Sequence, residues 1–211
     1  DGRTFQHQPG PAFRRLQRLA LGHHLVDEAE FLALGGQHVP PRQDHAHRTL
    51  QPDLARQALN TALSLDPLDH FGAGVYLDRL RQVPWRQNLP IAFVETLFDQ
   101  MAPSFDQHLT GKLNYQGPEL LRDAILRRGR SRFTHVIDLG CGTGLSGQVL
   151  RPFSDRLTGV DVSSEMLQRA KVKGVYDALH QADINQMTLQ SQCYDLIFAS
   201  DVFNYLGALD R

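Results

Sequence analysis

The stretch VIDLGCGTGLSG, residues 136–147, runs from an apolar segment straight into a glycine-rich turn. An apolar run of this length followed by such a turn reads as a buried strand, a tight loop and the start of a helix. Glycines at 140, 142 and 144 let a loop approach a ligand closely, since any Cβ would obstruct it. Residues 142–147 fit the Gly-x-Gly-x-x-Gly spacing of dinucleotide sites, a weak signal by itself. No Gly-Lys-Ser/Thr follows, which excludes a nucleoside-triphosphate P-loop.

Asp138 separates the remaining readings. It stands two residues before Gly140, at the end of the first strand, beside whatever the turn holds. A carboxylate there repels a pyrophosphate and attracts a ligand carrying an ammonium and a sulfonium, as S-adenosylmethionine does. Asp161 lies 23 residues further on, at the end of the next apolar run, where it can bind ribose hydroxyls. Dinucleotide enzymes use an acid in the same way, so Asp161 does not discriminate.

Outward from the turn, apolar runs alternate with helical segments: 134–140, 157–162, a weak one at 178–183, and 194–200. Such alternation predicts a parallel sheet with crossover helices, whose ligands sit at the carboxyl ends of the strands. Ser163 is suited to cap the helix SSEMLQRAKVKG and Gly174 to stop it. At the strand ends stand Asp138 to Gly144, Asp161 and Val162, Asp183 and Ile184, and Ser200 and Asp201.

The ordered set VIDLGCGTGL, GVDVSSEML, QADI and YDLIFASD resembles the motifs of class I S-adenosylmethionine-dependent methyltransferases over residues 133–205. The lead-in FVETLFDQMAPSFDQHLTGKLNYQGPELL is similar to that of bacterial methyltransferases with N-terminal tetratricopeptide repeats. The resemblance implies a Rossmann-like α/β domain over 89–211, incomplete at its C-terminus, after an all-helical tetratricopeptide-like region over 1–88. It implies S-adenosylmethionine as cofactor. Asp138, Gly140, Cys141, Gly142 and Gly144 would surround its methionine part, with Asp161 on the ribose. Val162 and Met166 would pack near the adenine, Asp183 and Ile184 would contact its edge, and Ser200 would line the methyl-transfer end. Phe105 and Tyr115 are candidates for a lid. Simpler readings stand beside these: Met166 as core, Ser163 and Asp201 as caps, Cys141 as a small filler.

Upstream, DLARQALNTALSLDPLD (53–69) puts Leu54, Ala58, Leu59, Ala62, Leu63 and Leu65 on one helical face, ended by Pro67. With the helical FGAGVYLDRLRQ it resembles a tetratricopeptide junction, although no repeat-length copy precedes it. Residues 1–50 are poorly patterned beyond one helical stretch at 13–36, and 83–90 read as a linker. Helices are expected over 90–109 and 118–129, the second opened by Pro118 and closed by Gly129.

A net charge of −1 gives no global attraction to nucleic acid or an anionic membrane, and Arg127–Arg132 reads as a solvated helix end and loop. Two distant cysteines, no membrane-length apolar run and no signal peptide point to a cytoplasmic protein. The histidines at 23–24 and 45–47 lack a completing ligand set, so no metal is expected.

Methyl transfer needs alignment more than acid–base chemistry, so no catalytic residue is assigned; Asp201 and Tyr205 are the available bases. The acceptor, small molecule or protein, is open, and the helical region could recruit a protein partner. The rival readings are a nicotinamide-type oxidoreductase, which leaves Asp138 unexplained, and a non-catalytic helical scaffold with a cofactor-binding domain. With four strands where seven are usual, the chain reads as a fragment expected to be weakly active or inactive.

Overall fold

The structure, a computed structural model, describes residues 52–81, 89–189 and 193–206. The helical stretch expected at 13–36, both histidine clusters and residues 83–88 of the expected linker lie outside them. The chain divides into two compact units, Asp1–Trp85 and Arg86–Arg211.

In the first unit, α1 (Pro52–Leu65) and α2 (Ala73–Leu80) form a helical pair. Leu59 and Ala62 pack against Ala73 and Leu77, flanked by Leu63 and Tyr76. The buried face is rotated from the expected one: Ala55 is buried, whereas Leu54 and Leu65 are 60% and 70% exposed. The turn is held by acids. Asp66 accepts the backbone N–H of His70 and pairs with its ring at 2.7 Å, and Asp69 accepts the N–H of Gly74 at 3.0 Å. The latter supplies a partner for a first-turn amide of α2, which no residue of the helix itself can satisfy.

The second unit opens with α3 (Ile91–Met101), followed by a short 3-10 turn at Ala102–Ser104, a π turn at Gln107–Lys112 and α4 (Gly117–Arg127). Then come β1 (Phe133–Leu139), α5 (Leu145–Leu150), β2 (Ser154–Asp161), α6 (Ser164–Lys173), β3 (Ala178–Gln181) and β4 (Leu196–Ala199). The four strands form one parallel sheet in the order β3-β2-β1-β4. The chain winds one way from β1 to β3 and returns past β1 to reach β4. The crevice at the carboxyl ends of β1 and β4 is therefore the topological switch point, where such sheets bind ligands.

Both faces of the sheet are covered, as parallel strands require. Phe133, Val136, Leu150, Leu157 and Phe198 form a buried cluster with Leu121 and Ile125 of α4 against it. Ile137, Leu139 and Val160 face the other way, toward Ile184, Met187 and Leu189. β2 begins at Ser154, before the apolar run that marked it, because its main chain continues to pair with β1 at Phe133 and His135 whatever the side chains are. Ser163 caps α6 by accepting the N–H of Met166 at 3.1 Å, and Gly174 ends it with φ +64°. Gly129 follows α4 with φ +72°. Of the arginines that follow, Arg130 bonds Asp195 and lies 4.5 Å over the Phe133 ring, and Arg132 bonds Asp155.

Candidate functional site

The glycine turn lies where β1 meets α5. Gly140, Gly142 and Gly144 have φ of +68°, +53° and +91°, a region that disfavours any side chain. Their surroundings correct the expectation that all of them clear space for a ligand. A Cβ on Gly140 would lie 2.4 Å from Val202, and one on Gly147 would lie 2.4 Å from the Tyr176 ring and its hydroxyl. A Cβ on Gly144 would lie 3.1 Å from Tyr176. The protein's own packing fills those positions. At Gly142 the nearest atom is Phe105 Cε1, 3.8 Å away, so this glycine faces the open side.

Asp138, the penultimate residue of β1, is fully buried. The Tyr176 hydroxyl donates to one carboxylate oxygen at 2.7 Å, and the other, Oδ1, has no hydrogen-bond partner in the protein. Burial pushes its pKa up to about 7, opposed by the tyrosine bond and reinforced by the charge of Asp161. The same burial, with the Asp138 charge beside it, holds Tyr176 as a neutral phenol, far above the usual tyrosine range. Tyr176 was invisible in the sequence, standing alone in a polar loop. The available signal was the cluster Gly144, Gly147 and Gly159, all of which make room for its ring.

Asp161 ends β2, 8% exposed. Its carboxylate accepts the N–H of Gly142 at 2.8 Å and of Ser163 at 2.9 Å. It thereby ties the glycine turn to the start of α6. Burial raises its pKa despite these bonds. Asp99 of α3, also missed from sequence, accepts the Ser163 hydroxyl at 2.5 Å and the N–H of Glu165 at 3.2 Å. Cys141 is buried, its N–H bonded to Val160 O at 2.9 Å. Burial pushes its thiol well above the usual range, which suits a filler and not a nucleophile.

The other strand-end residues divide. The Val162 carbonyl accepts from Gln181 at 3.0 Å, and Asp183 caps the turn Ile184–Gln186 by accepting the N–H of Asn185 at 2.9 Å. Ile184 packs on the Ile137–Val160 cluster, and Met166 is fully buried. At the end of β4, Ser200 and the Tyr115 hydroxyl share a bond of 2.7 Å. Among the described residues Asp201 caps no turn; it has φ +58°, and the turn Phe203–Tyr205 starts without a side-chain cap. Burial raises its pKa. Tyr205 is buried edge-on to Phe98, ring centroids 5.0 Å apart, a core contact and a poor position for a base. Among the described residues, no group of His, Cys, Asp and Glu could hold a metal ion, and no helix is long and apolar enough to cross a membrane.

Residues 137–211 match the family described as Methyltransferase domain. This stretch is similar to methyltransferase domains. The chain is 31% identical over 116 residues to a malonyl-[acyl-carrier protein] O-methyltransferase of Enterobacter lignolyticus, across 55% of this chain and 44% of the relative. It is 35% identical over 97 residues to the human Methyltransferase-like protein 27, across 44% and 39%. The chain thus spans less than half the length of these curated relatives. Among solved structures it is similar to the DhpI-SAH complex, with 26% identity, TM-score 0.43 and 52% of each chain covered.

The likeness to methyltransferase domains was legible in the sequence through the glycine turn and the acid ahead of it. A buried carboxylate oxygen without a partner is costly and marks a place for a donor or cation. Two neighbouring carboxylates, both pushed up by burial, form a site whose strain a cationic ligand relieves.

Proposed function

We propose that this protein transfers the methyl group of S-adenosylmethionine to an acceptor bound beside the carboxyl end of β4. The observation that carries the reading is Asp138: fully buried, with one oxygen unpartnered, two residues before Gly140 of the glycine turn. S-adenosylmethionine supplies a methyl group already activated by its sulfonium. The chain's work is then to bind, orient and exclude water.

In this reading Asp138 faces the cationic methionine end, with Gly140, Cys141, Gly142 and Gly144 forming the turn around it. Asp161 has acceptor capacity beyond its two backbone bonds and takes the ribose hydroxyls. Val162, Asp183 and Ile184 line the adenine side; Met166, fully buried, supports that wall from within. Ser200 lines the transfer end. Tyr115 is held above its ordinary pKa, chiefly by burial, and so serves as a hydroxyl donor and not a base. A nicotinamide cofactor is disfavoured, since its pyrophosphate would have to lie beside Asp138 and Asp161.

The acceptor is a small molecule or a protein, and the name of the Enterobacter relative makes malonyl-[acyl-carrier protein] the first to try. The helical pair α1–α2, with exposed Leu54, Leu65 and Leu68, suits a repeat-like region that recruits a protein partner. Residues 1–88 would form that region, residues 89–211 the methyltransferase part, and the cytoplasm is the proposed setting.

Calorimetric titration with S-adenosylmethionine, S-adenosylhomocysteine and NADH tests the reading. Binding of the first two and not the third is expected. Binding of NADH alone would sink it.

A further inference from the structure

Tyr176 stands in the short loop between α6 and β3, and its neighbours are built around it. A Cβ on Gly144, Gly147 or Gly159 would crowd its ring or hydroxyl, so the glycine turn, α5 and β2 each give up a side chain to seat it. Glycine weakens helix and strand interiors, where Gly147 and Gly159 stand, so their presence beside one ring marks a fixed placement. The loop itself is clamped. Arg151 donates to the Val175 carbonyl at 3.3 Å and pairs with Asp177 at 2.7 Å. Asp177 in turn accepts the N–H of Leu157 at 2.6 Å and gives its own N–H to the Leu157 carbonyl at 2.8 Å. Tyr176 is thereby held on both sides by β2 and the residue that follows α5.

The hydroxyl has a single task. The N–H of Gly147, in the first turn of α5, reaches the phenol oxygen, and the phenol proton goes to Asp138 Oδ2 at 2.7 Å. A neutral phenol donates more strongly to a carboxylate than to a neutral acid, so this bond favours the ionised form of Asp138. It also leaves Oδ1, buried and unpartnered, as the oxygen free for a ligand. The other ionisable groups about Asp138 give its charge no support. Asp161 at the end of β2 repels it, and the buried Cys141 thiol and the Tyr115 phenol are both held neutral, in part by the Asp138 charge itself.

We propose that Tyr176 is a positioning residue for the methyl donor: it holds Asp138 as a carboxylate by Oδ2 and so turns Oδ1 toward the donor's cationic end. This role rests on the methyltransferase reading and goes beyond it. The pH at which the site accepts its cofactor is then set by a residue outside both the glycine turn and the strand ends.

The test reads Asp138 with and without a ligand. Carbon-13 NMR of its side-chain carboxyl gives the midpoint in the unliganded chain. Calorimetry gives the affinity for S-adenosylmethionine and S-adenosylhomocysteine across the pH range. In Tyr176→Phe the midpoint, about 7 in the parent chain, should rise by about one unit, the strength of one hydrogen bond to a charged group. The variant should then bind S-adenosylmethionine about fivefold more weakly than the parent chain near pH 7, and within about twofold of it at about pH 8.5, as the ionised fraction recovers. S-adenosylhomocysteine, without the sulfonium, should show a smaller difference at both. A merely structural tyrosine would weaken both ligands equally at every pH and leave the Asp138 midpoint in place, and that result overturns the role. The parent chain labelled with 3-fluorotyrosine guards against a variant that fails to fold. Its more acidic phenols donate more strongly, so the midpoint should move down, and an unmoved midpoint overturns the role too. If the parent chain binds neither ligand, the methyltransferase reading falls and the role with it. If it binds both while the midpoint in Tyr176→Phe stays at the parent value, only the role of Tyr176 falls.

Discussion

At the carboxyl ends of β1 and β2, Asp138 and Asp161 are 0% and 8% exposed. Tyr176, Gly142 and Ser163 donate to them from three separate segments. At the carboxyl end of β4, by contrast, Ser200 has one bond, to Tyr115, and Ile197 and Phe203 are 54% and 52% exposed. On the β1–β2 side the carboxylates are held by hydrogen bonds from the protein itself, without a ligand. β4 is paired with β1 along one edge, and its end is shaped by what packs against it, the segment carrying Tyr115. In the proposed reaction the β1–β2 side takes the cofactor and releases its spent form at every turnover, while the end of β4 admits and releases the acceptor.

The contrast breaks most directly at Asp138. In Asp138→Asn, affinity for S-adenosylmethionine should fall by about two orders of magnitude at pH 8, the upper range for a bond to a charged group, as read by calorimetry. The variant also sharpens the electrostatics. Because the folded pKa of Asp138 is raised to about 7, its ionisation penalises the folded state. That penalty is absent below the ordinary carboxylate pKa, grows as pH rises toward 7 and is complete above it. Denaturation should therefore show Asp138→Asn gaining on the parent chain between about pH 4 and pH 7, with no further gain above.

The same linkage acts on binding. A cationic cofactor favours ionised Asp138, so affinity for S-adenosylmethionine should rise with pH up to about 7 and then level off. The rise should approach tenfold per unit at its steepest. S-adenosylhomocysteine, which lacks the sulfonium, should depend less on pH. Equal dependence for the two would place the sulfonium away from Asp138.

Tyr176→Phe leaves both oxygens of Asp138 without a donor and should destabilise the domain by about 1–3 kcal/mol above pH 7. The loss should be smaller at pH 5, where the acid is protonated. A flat pH dependence in denaturation would mean that Asp138 does not carry the charge assigned to it.

The glycines separate packing from binding. Gly147→Ala drives a methyl into Tyr176 and should cost about 1–3 kcal/mol of stability. Gly142→Ala makes only ordinary contact with Phe105 and should cost about 1–2 kcal/mol for its left-handed backbone, yet weaken cofactor binding more. On the β4 side, Ile197→Thr should shift stability by less than about 0.5 kcal/mol. A large loss there would show that the edge is covered.

The four strands, their order along the chain, the Ser163 cap and the Gly174 stop were all readable, because apolar period and capping chemistry are local. Asp138 and Asp161 were readable for the same reason, each closing an apolar run. What the sequence could not yield was what surrounds them. Tyr176 reaches Asp138 from 38 residues away, Asp99 reaches Ser163 from 64, and Asp106 reaches Thr143 from 37. No local pattern marks such partners, since they are chosen by where the sheet and helices bring the chain. The glycines show the divide most plainly. By itself the sequence determined that the turn must be glycine-rich, a matter of backbone conformation. Only the tertiary structure decided that Gly140, Gly144 and Gly147 serve Val202 and Tyr176 while Gly142 has room for a Cβ beside Phe105, because that depends on which atoms fill the space a Cβ would take.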